Sequence, residues 1–306
     1  PPRSTLFPYT TLFRSHGSGR VPLVADYCPI AATTRRPQIQ MTVEQTTAAH
    51  PSAFPVLEDK VALVTGAGSG IGRAGAMAMA RHGAQVVVTD LDLDRAVEVV
   101  ESLRSEGVQA TSARLDVTDD AAVAAAVAQV VATHGRIDVL HSHAGYQVEG
   151  NLEQVSVEGM DLSWRLNVRS HFIAARATVG HMRAQGGGSI IITASNSGVQ
   201  YDREMIAYAT TKHAVVAMTR QMASDYAGDN IRFNALCPGF IDTPFNAGFE
   251  KQMGGRDKLE RYVSQTIPMG RWGSTDEIAN SILFLASDMS TFMTGHALVV
   301  DGGECI

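Results

Sequence analysis

Tyr208-Ala-Thr-Thr-Lys212 sets a phenol and an ammonium four residues apart, on one face of a helix. Ser195 stands 13 residues before the tyrosine. A phenol with a pKa of about 10 is a poor base at neutral pH. A neighbouring cation favours the phenolate and brings its titration toward the working range. A serine hydroxyl can hydrogen-bond a substrate oxygen and polarise it. Ser195, Tyr208 and Lys212 therefore make a candidate acid–base unit for an alcohol or carbonyl oxygen. The Tyr–Lys spacing alone is common enough to arise by chance, so its placement must decide.

A second constellation precedes it. Thr65-Gly66-Ala67-Gly68-Ser69-Gly70-Ile71-Gly72 follows an apolar run and opens a helical one. Glycines there let the backbone turn sharply and approach a pyrophosphate, whose charge sits at the helix N-terminus. Tight strand–helix packing selects glycine too, so the turn alone is a weak signal. Asp90 strengthens it: 18 residues after Gly72, at the end of the next apolar run, it can accept from adenosine ribose hydroxyls. A carboxylate there repels a 2′-phosphate, and no basic residue adjoins it, which favours NAD over NADP. Asp90 could also serve as the N-cap of the following helix.

These residues need a frame. Short apolar runs at 60–66, 85–90, 109–115, 137–141, 189–193, 231–235 and 297–300 read as strands. Between them lie helical patterns at 71–82, 93–103, 119–134, 158–184, 207–226 and 275–285. Strands joined by helices of such length must pair in parallel through crossovers. Doubly apolar strands fit a sheet covered on both faces. The expectation is one doubly wound α/β domain over 54–306, with about seven strands and Ser195 at the carboxyl edge, where such sheets bind ligands.

Composition narrows the classes. The chain has 306 residues, 45% hydrophobic and 18% charged, with a net charge of −6. That apolar share excludes wholesale disorder. No run is apolar and long enough for a membrane span, and an acidic balance speaks against nucleic acid as partner. Cys28, Cys237 and Cys305 lie far apart without CxxC spacing, so neither a disulfide framework nor a zinc site is readable and a reducing, cytoplasmic setting fits. Residues 1–50 read as a leader apart from the enzyme, with Met41 as its natural start; five arginines against only Asp26 and Glu44 suggest a transit peptide, but the prolines break any amphipathic helix. Beyond it the remaining 256 residues carry 20 basic and 29 acidic side chains, a net of −9.

From about Phe54 to Gly303 the chain resembles the short-chain dehydrogenase/reductase family, in its single-domain, Rossmann-type branch. The resemblance rests on the Thr65–Gly72 turn, Asp90, Asp116-Val117, Asn167, Ser195, Tyr208, Lys212, Pro238-Gly239 with Thr243, and Asp301-Gly302-Gly303. It implies Tyr208 as acid/base and Lys212 as the residue that binds the nicotinamide ribose and lowers the tyrosine pKa. Ser195 would hold the substrate oxygen, and Asn167 would support a water-linked proton relay. Cofactor contacts are implied for Gly66, Ser69, Gly70, Ile71 and Gly72 in the turn, and for Asp90, Asp116 (to adenine) and Val117. They are implied likewise for Ala144, Gly145, Pro238, Gly239, Ile241 and Thr243. A homotetramer is the family expectation.

One departure stands out. The family usually has Asn-Asn-Ala-Gly after the fourth strand, and this chain has Ser142-His143-Ala144-Gly145, preceded by His141. His143 or Ser142 could replace the lost amides, and His143 could make cofactor affinity depend on pH near its own pKa. A metal at His141 and His143 lacks a third ligand at a recognisable spacing. His213 reads as packed or solvent-facing, Cys237 as a buried small hydrophobe, and Met77, Met79, Met218 and Met222 as core filler. The stretch 245–262 sits where the family carries a mobile substrate lid. Val199, Tyr201 and Met205 suggest a partly apolar pocket, whereas Asp202, Arg203 and Glu204 suit a polyol. The expected activity is NAD-dependent interconversion of a secondary alcohol and a ketone. The alternatives are an NADPH-dependent 3-oxoacyl reductase and a non-catalytic NAD-binding regulatory protein.

Overall fold

The computed structural model describes residues 56–306. The leader and the Met41 start lie outside the described residues.

The chain runs β1 (Val61–Thr65), α1 (Gly70–Arg81), β2 (Gln85–Asp90), α2 (Leu93–Ser105), β3 (Ala110–Arg114), α3 (Asp120–His134) and β4 (Val139–Ser142). It continues through α4 (Val157–Trp164), α5 (Ser170–Gln185), β5 (Gly188–Thr193), α6 (Ile206–Tyr226) and β6 (Ile231–Pro238). Helices α7 (Ala247–Met253), α8 (Arg256–Thr266) and α9 (Thr275–Ala286) precede β7 (Ala297–Val300). The strands form one seven-stranded parallel sheet in the order β3-β2-β1-β4-β5-β6-β7. Order therefore reverses between β1 and β4. Thr65 pairs with both Thr89 and Ser142, so the carboxyl ends of β2, β1 and β4 align around that switch point.

Alternation along β1 builds two cores. Ala62 and Val64 face a cluster with Met79, Val99, Leu103, Ile278 and Ile282 from α1, α2 and α9. Val61 and Leu63 face the other side, with Val127, Val130, Ala174 and Val215 from α3, α5 and α6. Fully buried side chains such as Ile190, Ile192 and Phe233 each gain about 1.5–3 kcal/mol from leaving water. Residues Leu259, Val263 and Ile267 form a third, smaller cluster with Phe240, Phe249, Tyr262 and Trp272. Helices α7 and α8 thus carry their own core beside the sheet edge.

Two sequence expectations needed correction. A single helix over 158–184 is interrupted by a π-helical segment at Arg165–Arg169, with Asn167 at its centre. The amide of Asn167 donates to Tyr146 O (2.8 Å), Ser163 Oγ and Thr211 Oγ1 (both 3.1 Å), so buried polar partners outweigh regular helix geometry. Asp90 is not the N-cap of α2. That cap is Asp92, which accepts from the Asp94 amide at 3.1 Å, because two residues separate the end of β2 from the helix.

Among the described residues, no helix is long and apolar enough to cross a membrane.

Candidate active site

A cavity of about 770 Å³ runs across the carboxyl edge of the sheet. At one end lie Asp90, Asp116 and Val117, after β2 and β3. Gly66, Ser69, Gly70 and Ile71 line its middle, with Ala144 and Gly145 opposite. Ser195, Tyr208 and Lys212 lie further along, with Pro238, Gly239, Ile241 and Thr243 from the end of β6 and the loop after it. Gly72 and Asn167 are the two expected site residues that do not line this cavity. Both act from behind the wall.

Gly72 is a close-approach glycine. A Cβ there would stand 2.2 Å from Gly66 O and 2.6 Å from the His143 ring, so the turn closes only without a side chain. Ser69 occupies the N-cap position of α1 with no side-chain cap hydrogen bond, and the helix's first turn holds no acid. Amide donors at that end face the cavity without a side-chain cap, which suits a diphosphate. Asp90 Oδ2 accepts from Gly68 N at 2.9 Å, tying the acidic group to the turn. Asp116 Oδ1 accepts from the amide (2.9 Å) and hydroxyl (2.7 Å) of Thr118, bonds that hold its carboxyl below the usual range. These residues fit a dinucleotide.

At the other end Tyr208 and Ser195 are each 7% exposed and Lys212 is 2% exposed. The Lys212 Nζ donates to Thr193 O at 2.9 Å and lies 5.5 Å from the Tyr208 ring centre. Burial brings the lysine down to about 8. Burial pushes the Tyr208 phenol up to about 12, with the Ser195 hydroxyl pulling the other way and the charge of Asp202 adding to the rise. Ser195 Oγ donates to Asn196 Oδ1 and accepts from Ser197 N, both at 3.2 Å.

Asn167 Oδ1 accepts from Tyr146 N at 2.8 Å while its amide holds three further oxygens. Its side-chain polar atoms are taken up by the protein. It positions the Gly145–Tyr146 loop against Lys212 rather than facing the cavity.

The Ser142-His143 departure builds a network that the sequence did not reveal. Thr193 Oγ1 lies 2.9 Å from His141 Nε2 and 3.0 Å from His143 Nδ1, and Ser142 Oγ lies 2.7 Å from His171 Nδ1. One hydroxyl has one proton, so Thr193 donates to one ring and accepts from the other; two neutral imidazoles satisfy this. Burial, with the Lys212 charge beside it, brings His143 down to about 4, and burial lowers His141 and His171 as well. His143 is therefore neutral at physiological pH, and a pH dependence of cofactor affinity near its own pKa would fall at about 4. Among the described residues, no group of three or more His, Cys, Asp or Glu side chains is placed to hold a metal ion. His213 stacks on Tyr201 (5.2 Å) and bonds Ala209 O (3.0 Å), away from the chemistry. Burial pushes the Cys237 thiol up to about 11, which leaves it unreactive.

Sequence reasoning also missed Asn196 and Glu304. The glutamate follows the Asp301-Gly302-Gly303 motif directly, and that adjacency was its one sequence signal.

Comparison with known proteins decides the family. A family model described as enoyl-(acyl carrier protein) reductase matches residues 66–304. A cyclohexanol dehydrogenase of an Acinetobacter species is 36% identical, over 80% of this chain and 94% of its own. The chain belongs to the short-chain dehydrogenase/reductase family. Within it, a trans-4-hydroxycyclohexanecarboxylate dehydrogenase of Sinomonas cyclohexanicum is 38% identical, over 80% of this chain and 93% of its own. The crystal structure of levodione reductase superposes with a TM-score of 0.78 at 32% identity, covering 81% of this chain and 98% of that one. Membership makes the protein an oxidoreductase, and dehydrogenases of this family use NAD(P).

Proposed function

We propose that the protein interconverts a secondary alcohol and a ketone with NAD(H), Tyr208 acting as acid/base. One observation carries this reading: Ser195, Tyr208 and Lys212 open into the same cavity as the Gly66–Ile71 turn and Asp90. In the oxidative direction the Ser195 hydroxyl turns its one proton from Asn196 Oδ1 to the substrate hydroxyl oxygen, and Tyr208 Oη takes the substrate's proton. An oxidised nicotinamide held in this cavity would supply the hydride acceptor for the carbinol carbon, and its positive charge would favour the phenolate form of Tyr208. Lys212, held by Thr193 O, adds a second positive charge beside the phenol. Asn196 and Ser197 fix the Ser195 rotamer, and the walls around Tyr208 keep bulk water away.

Asp90 supports NAD over NADP, since its carboxyl is anchored at the turn where a 2′-phosphate would lie. Arg95 is the nearest counter-argument. Its Cβ packs at Gly68, but its guanidinium pairs with Asp92 at 3.3 Å. A cytoplasmic location and a homotetramer belong to the same proposal, and exposed Trp164 and Phe172 on α4 and α5 support the second. Sedimentation of the purified protein should give four copies.

The test is a panel of secondary alcohols with NAD and NADP, read at the absorbance of the reduced nicotinamide. Turnover of at least one alcohol with NAD is expected. A better than tenfold preference for NADP in kcat/KM would overturn the cofactor assignment, and cofactor binding with no turnover of any alcohol or ketone would favour a regulatory role.

A further inference from the structure

The C-terminal turn places a carboxyl group against the catalytic serine. After β7, Gly302 (φ 68) and Gly303 (φ 92) adopt left-handed conformations that reverse the chain. Asp301 pins the reversal, its Oδ1 accepting from Gly303 N (2.9 Å) and its Oδ2 from Cys305 N (2.8 Å). Glu304 is thereby brought into the cavity wall, where its Oε2 accepts from Asn196 Nδ2 at 2.8 Å. Asn196 in turn accepts from Ser195 Oγ. One amide therefore separates the Glu304 carboxyl from the hydroxyl that meets the substrate oxygen. Asp202 faces the same space, held by the Ser197 hydroxyl. Around the two acids the wall is apolar, with Phe245, Phe249 and Tyr262.

We propose that Glu304 sets the substrate class of the reaction assigned above: a neutral alcohol or ketone carrying a second hydroxyl, to the exclusion of carboxylated analogues. The proposal rests on the alcohol–ketone reading. One carboxylate oxygen is committed to Asn196, and the other can accept a hydrogen bond from a second hydroxyl of the substrate. An anionic group in that position meets Glu304 and Asp202, both half-buried, where like charges repel more than they do in bulk water. Among the relatives named above, the inference sides with the plain cyclohexanol and against the cyclohexanecarboxylate.

Glu304 also gives the selection a pH dependence. Burial, then the charge of Asp202, pushes its carboxyl up to about 7, with Asp301 adding to this and the Asn196 and Gln200 amides opposing it. Tyr262 on α8 and Cys305 on the same turn are the other titratable groups facing it, and both are pushed up, hence neutral at pH 6–8. Exclusion of a carboxylated substrate should thus strengthen as pH rises through about 7.

The experiment measures, by calorimetry, binding of cyclohexane-1,4-diol and trans-4-hydroxycyclohexanecarboxylate to the protein saturated with NADH, at pH 6 and pH 8. At pH 8 the diol should bind at least about tenfold more tightly, a difference of about 1.4 kcal/mol. That ratio should shrink at pH 6, and Glu304→Gln, which keeps an acceptor for Asn196, should remove its pH dependence. The pH comparison on the unaltered protein stands even if the variant does not fold. Equal or tighter binding of the carboxylate at pH 8, no binding of the diol, or a ratio untouched by pH and by Glu304→Gln would each overturn the proposal. So would a carboxylate preference abolished by Arg203→Gln, which would assign the selection to the rim arginine. Failure to bind NADH would instead sink the reading on which the proposal rests.

Discussion

Acid should unfold this protein through its histidines. His143 is kept neutral down to about pH 4 by burial, with the Lys212 charge adding to it, whereas an exposed imidazole takes its proton near 6.5. Between those values the unfolded chain binds a proton that the folded one refuses, so stability falls as pH falls through that window. Carried across the whole window, His143 alone costs about 3 kcal/mol. His141 and His171 are lowered in the same direction, chiefly by burial, so the three act together. Carboxyl groups titrate in the same range, and a comparison with His143→Asn isolates the imidazole. Urea unfolding at pH 7.5, 6.5, 5.5 and 4.5 gives the curves. The variant should start less stable because Thr193 loses a partner, and the gap to the wild type should close by about 2–3 kcal/mol toward pH 4.5. Parallel curves would refute the reasoning, since His143 would then titrate alike in both states. The same neutrality predicts that KM for NAD carries no titration of His143 near 6.5.

Other consequences are direct. Gly72→Ala forces a Cβ to within 2.2 Å of Gly66 O; it should cost about 1–3 kcal/mol in thermal unfolding and weaken NADH binding measured by fluorescence. Asp90→Asn keeps an acceptor for Gly68 N but removes the charge, and the NADP-to-NAD ratio of kcat/KM should rise about tenfold or more. Iodoacetamide at pH 8 should leave activity intact, because Cys237 is buried and its thiol is pushed up to about 11; rapid inactivation protected by NADH would contradict this.

Much of this architecture was legible because its signals are local. The turn from Thr65 to Gly72 needs glycines at fixed steps, and the alternation of apolar strands with helices admits few topologies. The Tyr208–Lys212 spacing survives as geometry because one helix, α6, carries both residues. What escaped depends on contacts across the fold. The π-helical segment at Arg165–Arg169 arises from Asn167 reaching Tyr146 and Thr211, which no helical periodicity encodes. Thr193 joining His141 and His143 required the register between β4 and β5. The burial that raises the Tyr208 phenol is likewise set by the packed walls around it, which the Tyr–Lys spacing does not encode. Glu304 was invisible for a similar reason: its partner, Asn196, lies more than 100 residues away in the chain.

The central claim is that the Tyr208 phenol moves the proton of the reacting oxygen. Tyr208→Phe removes one oxygen from a buried ring that packs 6.1 Å from Phe245 and changes little else. With an alcohol that the wild type oxidises, kcat should fall by about 100- to 10,000-fold, while the Kd for NADH, read by fluorescence, stays within about threefold. A variant that binds NADH and retains wild-type turnover would contradict the account.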